Sequence, residues 1–255
     1  MVCLETVINA TEMPKLRKPV LIEGLPGIGN VGRVAAGYLV SELKMKKFAE
    51  LFSPHFLPLV VLHEDVASLL KCEFYYYKGK GDIVVLTGDT QSVTPEGHYD
   101  VCEKILGFAE KLGVKEIITL GGFAEASPVK EPKVIGAVNN KDIRKKYSKY
   151  GIDFGERHSI GTIVGASGLL LGLSGLRKID GMCLMGQTVG LPFVTDPKSA
   201  DRVLRVLSGI LGLKLDLSKL EGIIKEMEEK IKKTEKIHSK ILMPQAKDEQ
   251  IRYIG

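Results

Sequence analysis

The densest chemical signal in the chain is Gly27-x-Gly29-x-x-Gly32, which follows the apolar run Val20-Leu21-Ile22-Glu23-Gly24 and opens a helical pattern. In a dinucleotide fingerprint such glycines allow a tight turn and let amides at a helix N-terminus approach a pyrophosphate. The fingerprint also needs an acidic residue about 20 positions on, at the end of the next strand, to hold a ribose. Here the next apolar run ends at His63-Glu64-Asp65, Glu50 lies before that run, and Pro26 sits inside the turn. The turn is therefore expected to serve close strand-to-helix packing or contact with a partner, and no cofactor is assigned to it.

The acids Glu64, Asp65, Asp89, Glu125 and Asp196, with His63 and His98, fall just beyond expected strands or in the loops that follow them. That edge of an open α/β sheet is where ligands bind, so these residues are the candidates for a catalytic cluster. The same residue types are what turns and helix caps require, as in Thr87-Gly88-Asp89-Thr90 and Thr195-Asp196-Pro197. Ser167, in Gly165-Ala166-Ser167-Gly168, follows a strand-like segment, but no histidine is placed as its base. Neither a Gly-x-Ser-x-Gly elbow nor an H-E-x-x-H metal pair occurs. Cys3, Cys72, Cys102 and Cys183 form no C-x-x-C pair and are expected as reduced, buried thiols. The sequence therefore assigns no catalytic, cofactor-binding or metal-binding residue.

The elements that must position these residues alternate between strand and helix. After the glycine turn, Val31, Val34, Ala35, Tyr38, Leu39 and Leu43 recur at helical spacing up to a basic end at Lys44-Met45-Lys46-Lys47. Phe56 to Leu62 reads as a buried strand, and Cys72 to Tyr77 with Asp82 to Thr87 as a hairpin, which makes the sheet mixed. Thr94-Pro95 and Asp196-Pro197 each place a capping side chain before a proline at the first helical position. Further strands are expected at Glu116 to Gly121, Val134 to Val138 and Gly181 to Gln187. Alternation of this kind predicts a three-layer α/β/α domain with a mixed sheet.

With 255 residues, the chain is long enough to bury a large core without disulfides. Its net charge of +5 is mild for that length, and the basic stretch from Lys141 to Arg157 reads as a solvated helix face. Nucleic acid is not an expected partner. No apolar run reaches the ~18 residues of a membrane span, and the N-terminus lacks a signal-peptide pattern, so a cytoplasmic protein is expected.

From Leu217 onward Leu220, Ile223, Ile224, Met227, Ile231, Ile237 and Ile241 form one stripe on a pattern otherwise built of Lys and Glu. A stripe of that kind must be buried against something. Ile223, Met227, Ile231 and Ile241 are therefore expected to contribute an oligomer-forming helix. After Pro244 a polar spacer gives way to Ile251, Arg252, Tyr253, Ile254 and Gly255, expected as a partner-binding tail. The division that follows is a core over 1–215, a C-terminal amphipathic helix over 216–243 and a tail over 244–255.

Glu23-Gly24-Leu25-Pro26-Gly27-Ile28-Gly29-Asn30-Val31-Gly32, Gly88-Asp89-Thr90-Gln91, Gly121-Gly122-Phe123, Gly165-Ala166-Ser167-Gly168-Leu169-Leu170 and Gly186-Gln187-Thr188 with Asp196-Pro197 occur in an order and spacing that resemble the proteasome assembly chaperone family, in its archaeal branch. The resemblance implies a phosphorylase/hydrolase-like α/β/α fold without demonstrated catalysis, and a role in handling proteasome subunits or a related assembly. It also implies a terminal hydrophobic-Tyr-any-residue plug. Here Tyr253 stands one place early and follows Arg252, so the tail is expected either to grip another protein or to act as a modified version of the same plug. The expectation is a non-enzymatic, self-associating scaffold; the alternative is a small-molecule or nucleotide-binding α/β enzyme of the phosphorylase/hydrolase type.

Overall fold

In the computed structural model, residues 5–127, 129–155, 161–189, 195–220 and 222 are described. The N-terminal elements are β1 (Val7–Ala10), β2 (Val20–Gly24), α1 (Val31–Glu42), β3 (Lys46–Phe52), β4 (Val60–His63), β5 (Val66–Leu69), β6 (Cys72–Tyr77) and β7 (Ile83–Gly88). They are followed by α2 (Pro95–Lys111), β8 (Glu116–Glu125), β9 (Val134–Val138), α3 (Lys141–Tyr147), β10 (Ile152–Asp153), α4 (Ala166–Leu176), β11 (Asp180–Val189) and α5 (Pro197–Leu211).

Among the described residues nine strands form one mixed sheet in the order β1-β3-β6-β7-β2-β8-β11-β9-β10. The centre, β7-β2-β8-β11, is parallel. β6 joins it through the expected antiparallel hairpin with β7. Alternation along the strands sends Leu21, Val84, Leu86 and Ile117 to one face, where they pack with Val101, Ile105 and Leu106 of α2 and Leu170 of α4. Ile22, Val85 and Ile118 point the other way, to Val34 and Leu39 of α1 and Val203 and Leu207 of α5. Helices on both faces of a mostly parallel sheet make the three-layer α/β/α sandwich that the alternation predicts.

The caps hold as expected. Thr94 accepts a hydrogen bond from the Gly97 amide at 3.1 Å, Asp196 accepts one from Ser199 at 3.0 Å, and α5 stops at Gly212 in the left-handed region with φ 65°.

Two segments depart from the sequence reading. The basic Lys46-Lys47 does not end α1; it begins β3, where Lys47 bridges Glu50 at 2.8 Å and Glu73 of β6 at 3.0 Å. Cross-strand pairing of opposite charges on an open sheet face accounts for this. Phe56 to Leu62 is not one buried strand. Phe56 and Leu57 are buried in a turn flanked by Pro54 and Pro58, whose missing N–H groups cannot feed a ladder. Only Val60–His63 extends, as half of a separate hairpin with β5. On α3 Ile143 and Tyr147 are buried while Lys141, Arg144, Lys145 and Lys146 face solvent, as a solvated helix face should. The oligomer positions Ile223, Met227, Ile231 and Ile241 and the tail positions Ile251, Arg252, Tyr253, Ile254 and Gly255 lie outside the described residues, as does Cys3.

Candidate functional site

The sheet turns back on itself at β2. Its successor by way of α1, β3 and β6 is β7 on one side, while β8 lies on the other, so the C-terminal end of β2 is the topological switch point where α/β sheets open a crevice. The glycine turn occupies that place.

Its glycines act by letting backbone approach backbone. A Cβ on Gly32 would run into the Leu120 carbonyl of β8, and one on Gly24 would meet the Gly32 carbonyl. Gly29 is required by its φ of 62° as well as by Thr188 of β11 beside it. Gly27 is the exception, with only the Gln91 amide nitrogen near, at 3.8 Å. Residues Ile28–Asn30 form a single 3-10 turn, Asn30 caps α1 in the left-handed region, and the Gly29 carbonyl accepts from the Asp196 amide at 2.9 Å. Gly29 and Gly32 thus let helix and sheet pack closely, while Gly27 stands open.

Gln91 ties two loops together beside it. Its side-chain amide donates to the Pro26 carbonyl at 2.5 Å and its oxygen accepts from the Ala166 amide at 2.9 Å, joining the glycine turn to the start of α4.

A cleft of about 260 Å³ lies beside these walls, lined by Gly27, Ile28, Gly121, Gly122, Phe123 and Ile163 together with Ser167 and Cys183. Behind Ser167 lies Glu23, the one charged residue of β2 and completely buried. Its Oε2 accepts from Ser167 Oγ at 2.9 Å and its Oε1 from the Leu25 amide at 3.0 Å. Burial outweighs both hydrogen bonds and raises the Glu23 carboxyl to about 7. Cys183 is also buried, which pushes its thiol up to about 12 and keeps it protonated. The Ser167 carbonyl in turn accepts from Thr119 of β8 at 3.2 Å.

The acids singled out in the sequence do not gather here. Glu64 and Asp65 form the tip of the β4–β5 hairpin, and His63 ends β4. Asp89 faces Arg33 at 3.7 Å and accepts from the Lys71 amide; Glu125 accepts from Gln187 at 2.7 Å. Asp196 caps α5 and accepts from Thr188 at 2.7 Å, while His98 Nδ1 lies 3.0 Å from the Thr94 carbonyl one helical turn back. Each is engaged in local structure. Among the described residues no three His, Cys, Asp or Glu side chains are grouped to hold a metal, and no helix is long and apolar enough to cross a membrane. What sequence reading missed is Glu23 as the partner of Ser167. The available signal was a carboxylate in the middle of an otherwise apolar strand, where a charge demands a partner.

Residues 21–235 match the PAC2 family. The chain belongs to it. Among relatives, the uncharacterised protein MJ1210 of Methanocaldococcus jannaschii is 39% identical, over 96% of this chain and 95% of that one. The crystal structure of Pyrococcus furiosus PbaB, an archaeal proteasome activator, is 42% identical, with a TM-score of 0.81 over 91% of this chain and all of that one. Pyrococcus furiosus PbaA, an archaeal homolog of proteasome-assembly chaperone, is 25% identical with a TM-score of 0.74 over the same 91%. The sandwich and its mixed sheet are therefore those of the proteasome assembly chaperone relatives, as the sequence resemblance implies. By identity and by fold the likeness is greater to PbaB than to PbaA.

Proposed function

We propose that this chain is a chaperone-like scaffold of the archaeal proteasome system, which self-associates and captures a proteasome subunit or a related assembly protein. The observation that carries this reading is membership of the PAC2 family across residues 21–235, with 42% identity to a relative described as a proteasome activator. Such a role works through surfaces and needs no bond-making step, and a proteasome partner places it in the cytoplasm. The stripe Ile223, Met227, Ile231 and Ile241 supplies the self-association surface, because an apolar stripe of that length on a Lys- and Glu-rich segment is costly to leave in water. The tail Ile251-Arg252-Tyr253-Ile254-Gly255 supplies the capture surface. Tyr253 is its anchor, since a phenol ring combines large contact area with one directed hydrogen bond.

The test uses the full chain and purified archaeal proteasome α-subunits or 20S particles. Light scattering should show an oligomer for the wild type, and Met227→Glu with Ile231→Glu should break it, because unpaired charges in an apolar seam cost several kcal/mol. Deleting Ile251–Gly255 should leave the oligomer and its melting temperature unchanged while abolishing co-sedimentation with the particle. A monomeric wild type, or undiminished capture by the tail deletion, overturns the corresponding half of the proposal.

A further inference from the structure

Among the described acids at the switch-point edge, the others serve a cap, a turn, an ion pair or a surface hydrogen bond, but Glu23 does not. A completely buried carboxylate in the central strand is costly, and Ser167, whose hydroxyl donates to it, lines the cleft. We propose that Ser167 and Glu23 are a nucleophile and general base that cleave a small, neutral carboxylic ester bound in the glycine-walled cleft, an activity separate from partner capture.

Three features of the site carry this. The hydroxyl has the geometry of an activated nucleophile, with Oγ donating to a carboxylate oxygen at 2.9 Å, while the second oxygen of that carboxylate is pinned by the Leu25 amide. The pair is held from the other sides, by Thr119 on the Ser167 carbonyl and by Gln91 on the Ala166 amide. Ser167 also lies in the first turn of the eleven-residue α4, where the helix dipole favours the negative charge that develops on a carbonyl oxygen under attack.

The lining selects the substrate. No Lys, Arg or His is among the described residues that form the cleft, and Glu23 lies directly behind it, so phosphates and carboxylates are repelled. Ile28, Phe123, Ile163, Val164 and Met185 offer apolar contact, and the volume of about 260 Å³ is just below the range of drug-sized ligand sites. A short neutral acyl group fits these conditions. Cys183 is no competing nucleophile, because its buried thiol stays protonated.

The reaction balances without any added oxidant or metal. Ser167 Oγ gives its proton to Glu23 and bonds to the carbonyl carbon; the ester C–O bond breaks, and the leaving alkoxide takes the proton from Glu23 and departs as an alcohol. Water then attacks the acyl-serine, passing a proton through Glu23 to Ser167 Oγ, and the carboxylic acid is released.

The probe is a small dialkyl fluorophosphonate, which displaces fluoride when a serine oxygen attacks phosphorus. Intact mass spectrometry of the full-length wild type should show one adduct, mapped by peptide fragmentation to Ser167 and absent from Ser167→Ala. Glu23→Gln should slow labelling at least about 100-fold, the lower range for loss of a general base. Should that variant fail to fold, the wild-type rate against pH decides in its place. The rate should rise with pH and level off above neutrality, because the ionised Glu23 is the base; the buried thiols of Cys72, Cys102 and Cys183, whose ionisation the Glu23 charge also opposes, stay protonated throughout. Hydrolysis of p-nitrophenyl acetate should follow the same pattern. No adduct on folded wild type, an adduct elsewhere than Ser167, or a rate indifferent to Glu23→Gln and to pH overturns the proposal. Partner capture by Ser167→Ala should be intact, so the two readings stand or fall separately.

Discussion

Glu23 shows what one residue does when the fold surrounds it with apolar neighbours. In water its carboxyl would titrate near 4.5; in β2 it titrates near 7, with desolvation the largest cause and the Ser167 and Leu25 hydrogen bonds opposing it. The sign of the consequence follows from proton counting. Below pH 4.5 both folded and unfolded chains hold the proton. Between 4.5 and about 7 the unfolded chain releases it and the folded chain keeps it, so stability falls as pH rises through that window and is flat above it. The loss is about 3 kcal/mol by linkage. Urea denaturation at pH 4 and pH 8 should therefore show Glu23→Gln gaining about that much relative to wild type between the two. A constant difference between wild type and variant would mean that Glu23 is not held as the structure shows.

At the scale of elements, the approach of α1 to the sheet depends on hydrogen atoms standing where side chains would otherwise be. Gly24 and Gly32 let the first turn of α1 lie directly on the end of β2 and the middle of β8, and Gly29 takes the left-handed conformation that turns the chain into the helix. Gly32→Ala should cost about 3 kcal/mol or more, since its Cβ meets the backbone carbonyl of Leu120 and neither element can give way without shifting a strand. Gly27→Ala should stay within about 0.5 kcal/mol, because Gly27 has extended backbone, with φ −170°, and open space around it. Thermal unfolding of the two variants checks the contrast. Equal effects would show that the motif serves something other than helix-on-sheet packing.

Among the described residues, two apolar layers cover the faces of the nine-stranded sheet. Phe48, Phe74 and Phe108 interlock on the α2–α4 side with ring centroids 5.0 to 6.2 Å apart. On the α1–α5 side, Leu217 packs at the margin, Leu220 is only 4% exposed, and the Tyr38 hydroxyl donates to the Asp216 carbonyl. Residues as far as Leu220 are thus tied to the α1–α5 side of the sandwich. We expect a chain ending at Gly222 to keep its urea unfolding free energy within about 1 kcal/mol while losing self-association. A truncated chain that no longer unfolds cooperatively would show that the stripe from Ile223 to Ile241 belongs to the sandwich core.

The sequence by itself determined those features whose causes are local. Thr94-Pro95 and Asp196-Pro197 started their helices because a capping oxygen and a proline act within one turn. The hairpin of Cys72 to Tyr77 with its successor strand, and the alternation that makes an α/β/α sandwich, were legible for the same reason. The packing use of Gly32, one of the two readings the glycine turn left open, is seen in its close approach to the Leu120 carbonyl. Only the tertiary structure decided the order of strands, the exile of β4 and β5 into their own hairpin, and the function of Lys46 and Lys47 as strand residues. It alone joined Glu23 to Ser167, 144 positions apart in sequence and 2.9 Å apart in space. No local pattern encodes that pair, because its cause is the desolvation of a carboxylate by strands and helices drawn from the whole chain.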